Sequence, residues 1–74
     1  MNFSRVNDYH LASEPKGYTI VRIVLERGVL YELWAGKERV THDGPHADSD
    51  IDARRRAVER LTAAAERHQR RTCN

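Results

Sequence analysis

Two β-rich runs joined at a single glycine constrain this chain more than any other feature. Residues 18–34 read YTIVRIVLERGVLYELW, with β-branched and aromatic side chains on both sides of Arg27-Gly28. Such side chains favour extended backbone, and a glycine between two runs marks a tight hairpin because the favoured turns need positive φ. With the turn at Arg27-Gly28, Glu26 faces Val29, Val24 faces Tyr31 and Arg22 faces Leu33. On the other side Leu25 meets Leu30, Ile23 meets Glu32 and Val21 meets Trp34. Neither side is purely polar. One face is expected to meet a helix, and the other to leave aromatic surface partly open.

Weaker strand signals flank this hairpin. Phe3 to Leu11 alternates loosely, with Val6, Tyr9 and Leu11 among polar residues, and runs into the turn-forming Ser13-Glu14-Pro15-Lys16-Gly17. Glu38 to His42 follows Ala35-Gly36-Lys37 and returns as a fourth strand, which Asp43-Gly44-Pro45 is expected to end. Beyond it, Ser49 suits a helix N-cap, with Asp50 and Asp52 at the positive end of the helix dipole. No Gly or Pro interrupts the chain from there to His68. Ile51, Val58, Leu61 and Ala65 share one stripe at helical spacing, flanked by Ala57 and Ala64. The reading is an α+β domain: a three- or four-stranded antiparallel meander packed by one C-terminal helix. Its strands lie within 3–42, its loop spans 43–48, its helix covers about 50–68, and residues 69–74 form a frayed tail.

Size then limits function. A chain of 74 residues buries only about 60% of the surface its unfolded form exposes, which leaves little room for a catalytic pocket beside a core. The one cysteine, Cys73, cannot form an internal disulfide, so packing must hold the fold. The opening MNFSRVNDYH contains no apolar run that would serve as a signal peptide. The longest apolar stretch, Ile20 to Leu30, is broken by Arg22, Glu26 and Arg27, which argues against a membrane span and for the cytoplasm. Net charge is only +2 but is unevenly placed. Residues 1–49 carry six cations and seven carboxylates; residues 50–74 carry seven arginines and four carboxylates.

Those arginines give the sharpest binding hypothesis. At helical spacing Arg56, Arg60, Arg67 and Arg71 form a ridge about 20 Å long, suited to acidic protein surfaces or nucleic-acid phosphates. The plainer reading is a solvated helix face, with Asp52–Arg56 and Glu66–Arg70 pairs at i,i+4. Tyr31 and Trp34 are candidate anchors for a protein interface, where Tyr, Trp and Arg are enriched. Two histidines and three carboxylates crowd into THDGPHADSD, but Gly44-Pro45 breaks the helical placement that makes such pairs metal-specific, so a plain loop is expected. We expect no metal, no cofactor and no catalytic residues: there is no supported Ser-His-Asp set and no glycine-rich phosphate loop.

The segment RVNDYHLASEPKGYTIVRIV…YELWAGKE, followed by an arginine- and alanine-rich helix ending AAAERH, resembles small accessory proteins encoded by phages and prophages, anti-CRISPR proteins among them. The resemblance implies inhibition by occupying a partner's surface. Many anti-CRISPR proteins are acidic mimics of nucleic acid, a pattern from which the basic helix departs. The sequence therefore reads as a non-catalytic protein-interaction module, an inhibitor or adaptor for an acidic protein partner. A nucleic-acid-binding domain using the same ridge is the alternative. An open sheet edge would also permit a homodimer.

Overall fold

The computed structural model describes residues 1–72 and shows five strands followed by one helix. The strands are β1 (Asn2–Arg5), β2 (His10–Glu14), β3 (Tyr18–Leu25), β4 (Gly28–Ala35) and β5 (Glu38–His46); the helix α1 is Ile51–Thr72. They form an antiparallel meander in the order β1-β2-β3-β4-β5, with α1 across β3, β4 and β5 on one face. The α+β meander with a C-terminal helix is therefore present, with five strands where the sequence suggested three or four.

The extra strand comes from a turn inside Phe3 to Leu11. Asn7 folds back, and its side-chain Oδ1 accepts from the Tyr9 amide at 2.8 Å. This is the local hydrogen bonding by which asparagine competes with strand ladders. What reads as one irregular strand is thus the β1–β2 hairpin.

The central hairpin turns at Glu26-Arg27, one residue before the position predicted. Leu25 pairs Gly28, Val24 pairs Val29, Arg22 pairs Tyr31 and Ile20 pairs Leu33. The register therefore differs from the expected one by two residues. Because side chains alternate with period two, a slip of two leaves each residue on its predicted face. Gly28 is not a positive-φ residue. It is glycine because the backbone of His46 passes against it: an added Cβ would lie 3.2 Å from the His46 carbonyl carbon and nearer still to its oxygen.

Asp43-Gly44-Pro45 does not end β5. The strand runs on to His46, and the ladder shifts register between the Val29–His46 and Tyr31–Asp43 pairs. Gly44 takes φ +118° at this irregularity. β5 is an edge strand, where a proline and a bulge are tolerated.

The core lies between sheet and helix. Ile20, Val29, Tyr31 and Leu33 project toward Ala57, Leu61 and Ala65, with Tyr18 at one end. Ala57 and Ala65 are fully buried at the contact, where small side chains suit close packing. Ile51, predicted on the buried stripe, stands 66% exposed at the start of the helix. Asp50 is the N-cap in place of Ser49, with its Oδ1 accepting from the Ala53 amide at 3.0 Å. The helix also continues past His68 to Thr72, so residues 69–72 are helical; Cys73 and Asn74 lie outside the described residues. His68 is held against the sheet, its Nδ1 sharing a 2.8 Å hydrogen bond with the Tyr18 hydroxyl. Among the described residues no helix is long and apolar enough to cross a membrane.

Candidate functional site

The predicted arginine ridge is interrupted. Arg56, Arg60, Arg67 and Arg71 are all exposed, but Arg60 is engaged within the chain. Its Nε donates to Asp43 Oδ2 at 2.6 Å and its Nη2 donates to Oδ1 at 3.0 Å, a two-pronged guanidinium–carboxylate pair. The buried stripe runs through Ala57, Leu61 and Ala65, and this turns Arg60 onto the flank beside β5 instead of fully outward. Asp43 is largely shielded and also lies 2.8 Å from His46 Nε2. The Arg60 hydrogen bonds hold the Asp43 carboxyl below the usual aspartate range, against the opposing effect of burial, and His46 adds to the lowering. The same pairing raises the Arg60 guanidinium.

The neighbouring arginines divide in the same way. Arg54 donates from Nε to the Tyr31 hydroxyl at 3.1 Å and from Nη1 to the Asp48 carbonyl at 2.9 Å. Arg55 pairs with Asp52 at i,i+3, and neither predicted i,i+4 pair forms among the described ion pairs. Arg56, Arg67, Arg70 and Arg71 make no ion pair with the described residues. Three of these four stand in the last two turns of α1, so the unneutralised charge gathers at one end of the helix.

Tyr31 and Trp34 point to opposite sides of the sheet. Tyr31 is buried under the helix at 5% exposure, and its hydroxyl accepts from Arg54. Trp34 is half-buried on the uncovered face, where its Nε1 donates to Glu32 at 3.3 Å and Glu32 also accepts from Arg39 at 3.0 Å. The two aromatics therefore do not form one surface, and Tyr31 belongs to the core. Among the described residues, no group of three or more His, Cys, Asp or Glu is placed to share a metal ion. His42, Asp43 and His46 lie on β5, and Asp43 is occupied by Arg60 and His46.

Sequence reasoning missed a different surface. Among the described residues the exposed large apolar side chains are Val6, Tyr9, Val24, Leu25 and Ile51. Strand pairing places them all at one end of the molecule. Val6 and Tyr9 lie in the β1–β2 loop, and the Tyr9 carbonyl accepts from the Arg22 amide at 2.7 Å. Val24 and Leu25 end β3 beside the Glu26-Arg27 turn, and Ile51 opens α1 just after β5 ends against Val29. The opposite end carries Glu14, Lys16, Lys37 and Glu38 in its turns, together with Arg67, Arg70 and Arg71. The exposed large apolar side chains thus gather at one end, interspersed there with the exposed charges Arg5, Asp8, Glu26, Arg27, Asp48, Asp50 and Asp52. The available signal was large apolar residues directly beside turn residues, where polar ones are usual.

No protein-family model matches the chain, and neither a curated protein nor a solved structure does.

Proposed function

We propose that this chain is a non-catalytic protein-interaction module that docks a partner protein through its apolar tip. The observation that carries the reading is the gathering of Val6, Tyr9, Val24, Leu25 and Ile51 at one end. Exposed apolar residues scattered singly are ordinary on a protein surface, and their concentration at one end is what supports an interaction site. Arg27 in the β3–β4 turn and Arg22 beside it make no ion pair among the described residues and favour an acidic contact at this end. Occupying a surface without performing chemistry is also how the phage-encoded inhibitors that the sequence resembles act. The nucleic-acid alternative has less support, because Asp43 neutralises the second arginine of the proposed row.

The test is capture of a partner from nuclease-treated lysate, comparing the wild type with two variants. The double variant Val24→Ser/Leu25→Ser is expected to lose the partner while keeping its circular dichroism spectrum, and Trp34→Ala is expected to retain it. Retention by the double variant would overturn the apolar-tip reading. Loss of wild-type capture on nuclease treatment would replace it with the nucleic-acid one.

A further inference from the structure

Beside the apolar tip, on the helix side of the sheet, the β1–β2 loop and the first half of α1 enclose a pocket of about 240 Å³. Leu11, Ile20 and Val58 give it apolar walls, and Arg22, Tyr9 and His10 add polar groups. Arg22 is the unusual member. It projects from β3 on the face covered by the helix, is partly buried, and makes no ion pair among the described residues. Its Nε is shut off from solvent without a hydrogen-bond partner. Its guanidinium carbon lies 5.7 Å from the Tyr9 ring centroid, so the ring's π-face provides part of the missing compensation. Asp8 is the one carboxylate in the lining, and Arg5 already engages it. His10 is similarly occupied, with its Nδ1 3.0 Å from Asn7 Oδ1.

A guanidinium N–H withdrawn from water without an acceptor is costly, and among the described residues no carboxylate pairs with Arg22. We infer that the pocket seats an acidic side chain of the partner protein, with the carboxylate on Arg22 and flanking apolar side chains on Leu11, Ile20 and Val58. The inference rests on the docking reading above and gives that partner's contact a chemical identity. The planar fork of arginine matches a carboxylate in shape and charge. A phosphate, with its larger charge, would call for several free cationic donors, and the pocket has only one. The hydrocarbon walls also suit the apolar neighbours of an acidic residue in a folded partner better than a free inorganic ion.

The experiment follows the Arg22 Nε–H signal by proton–nitrogen NMR in the wild-type chain. The probe is a blocked tripeptide Leu-Glu-Leu, compared with blocked Leu-Gln-Leu and with inorganic phosphate at matched ionic strength. The expected result is a saturable shift of the Arg22 signal with the glutamate peptide. The glutamine peptide should bind at least tenfold more weakly, and phosphate should give no saturation. Arg22→Met is expected to abolish the discrimination between the two peptides; if that variant does not fold, the wild-type titration still decides. Equal binding of both peptides, saturation by phosphate, or no response to any probe would overturn the carboxylate seat. If the seat fails while Val24→Ser/Leu25→Ser still releases the partner, docking through the tip stands without it. If the glutamate peptide binds while that double variant keeps its partner, the seat stands and the tip reading falls.

Discussion

Replacing Gly28 by alanine sets two effects of opposite sign against each other. In a strand interior, alanine is ordinarily more stable than glycine by roughly 0.5–1 kcal/mol, because glycine loses more backbone freedom on folding. Gly28 has an ordinary strand backbone, so conformation alone predicts a gain. Packing predicts a loss. The new methyl carbon would lie 3.2 Å from the His46 carbonyl carbon and closer to its oxygen, whereas nonbonded carbons rest at about 3.5–4.0 Å. The obstacle is backbone, so no side-chain rotation relieves it, and β5 must retreat by several tenths of an ångström. That end of β5 carries Asp43, which holds Arg60 of the helix, so the movement also strains the sheet–helix contact. Overpacking of this kind typically costs about 1–3 kcal/mol and exceeds the entropic gain over most of its range. The expected net effect is a loss of about 1–2 kcal/mol by these same magnitudes. In a domain of this size, that lowers Tm by roughly 5–15 °C. Thermal unfolding followed by circular dichroism measures it. A Gly28→Ala protein that melts at or above the wild-type temperature would refute the close-approach explanation.

Other perturbations test the remaining contacts. Leu61→Ala removes the largest buried side chain the helix contributes to the core and should cost about 2–5 kcal/mol, read from the chemical-denaturation midpoint; a cost under 1 kcal/mol would contradict the packing described. Asp50→Ala should cost about 0.5–2 kcal/mol as a lost N-cap, with Ser49→Ala costing less; the reverse order would return the cap to Ser49. The Asp43 carboxyl titrates below its unfolded value of about 3.9, so its contribution is complete above that pH and is lost as pH falls through the lower folded value. Wild-type Tm should therefore fall toward that of Asp43→Asn as pH drops below about 4, and parallel curves for the two proteins would rule out the Arg60–Asp43 pairing. Val24→Ser, on a mostly exposed side chain, should change stability by no more than about 0.5 kcal/mol.

The elements legible in the sequence were those fixed by local pattern. The central hairpin, the grouping of its residues into two faces and the C-terminal helix follow from residue spacing and from the absence of breakers after residue 49, while which face lies under the helix does not. Features that depend on distant neighbours were hidden. Gly28 looked like a turn glycine because the strand that crowds it lies eighteen positions away. Gly44-Pro45 looked like a stop because nothing local reveals that β5 is an edge strand, where an irregularity does not end pairing. Arg60 looked like one of four equivalent cations, since its partner Asp43 comes close only once the helix folds back along β5. The apolar tip was illegible for the same reason: Val6, Tyr9, Val24, Leu25 and Ile51 are dispersed over forty-six positions, and only the meander brings them to one end.

Site-specific photo-crosslinking addresses the docking surface most directly. A photo-reactive side chain placed at Leu25, or separately at Trp34, is irradiated in cells expressing the full chain, and adducts are resolved after nuclease digestion. Docking through the tip predicts a discrete protein adduct from position 25 and none from position 34. An adduct from position 34 alone would move the interface to the uncovered face of the sheet and contradict docking through the tip.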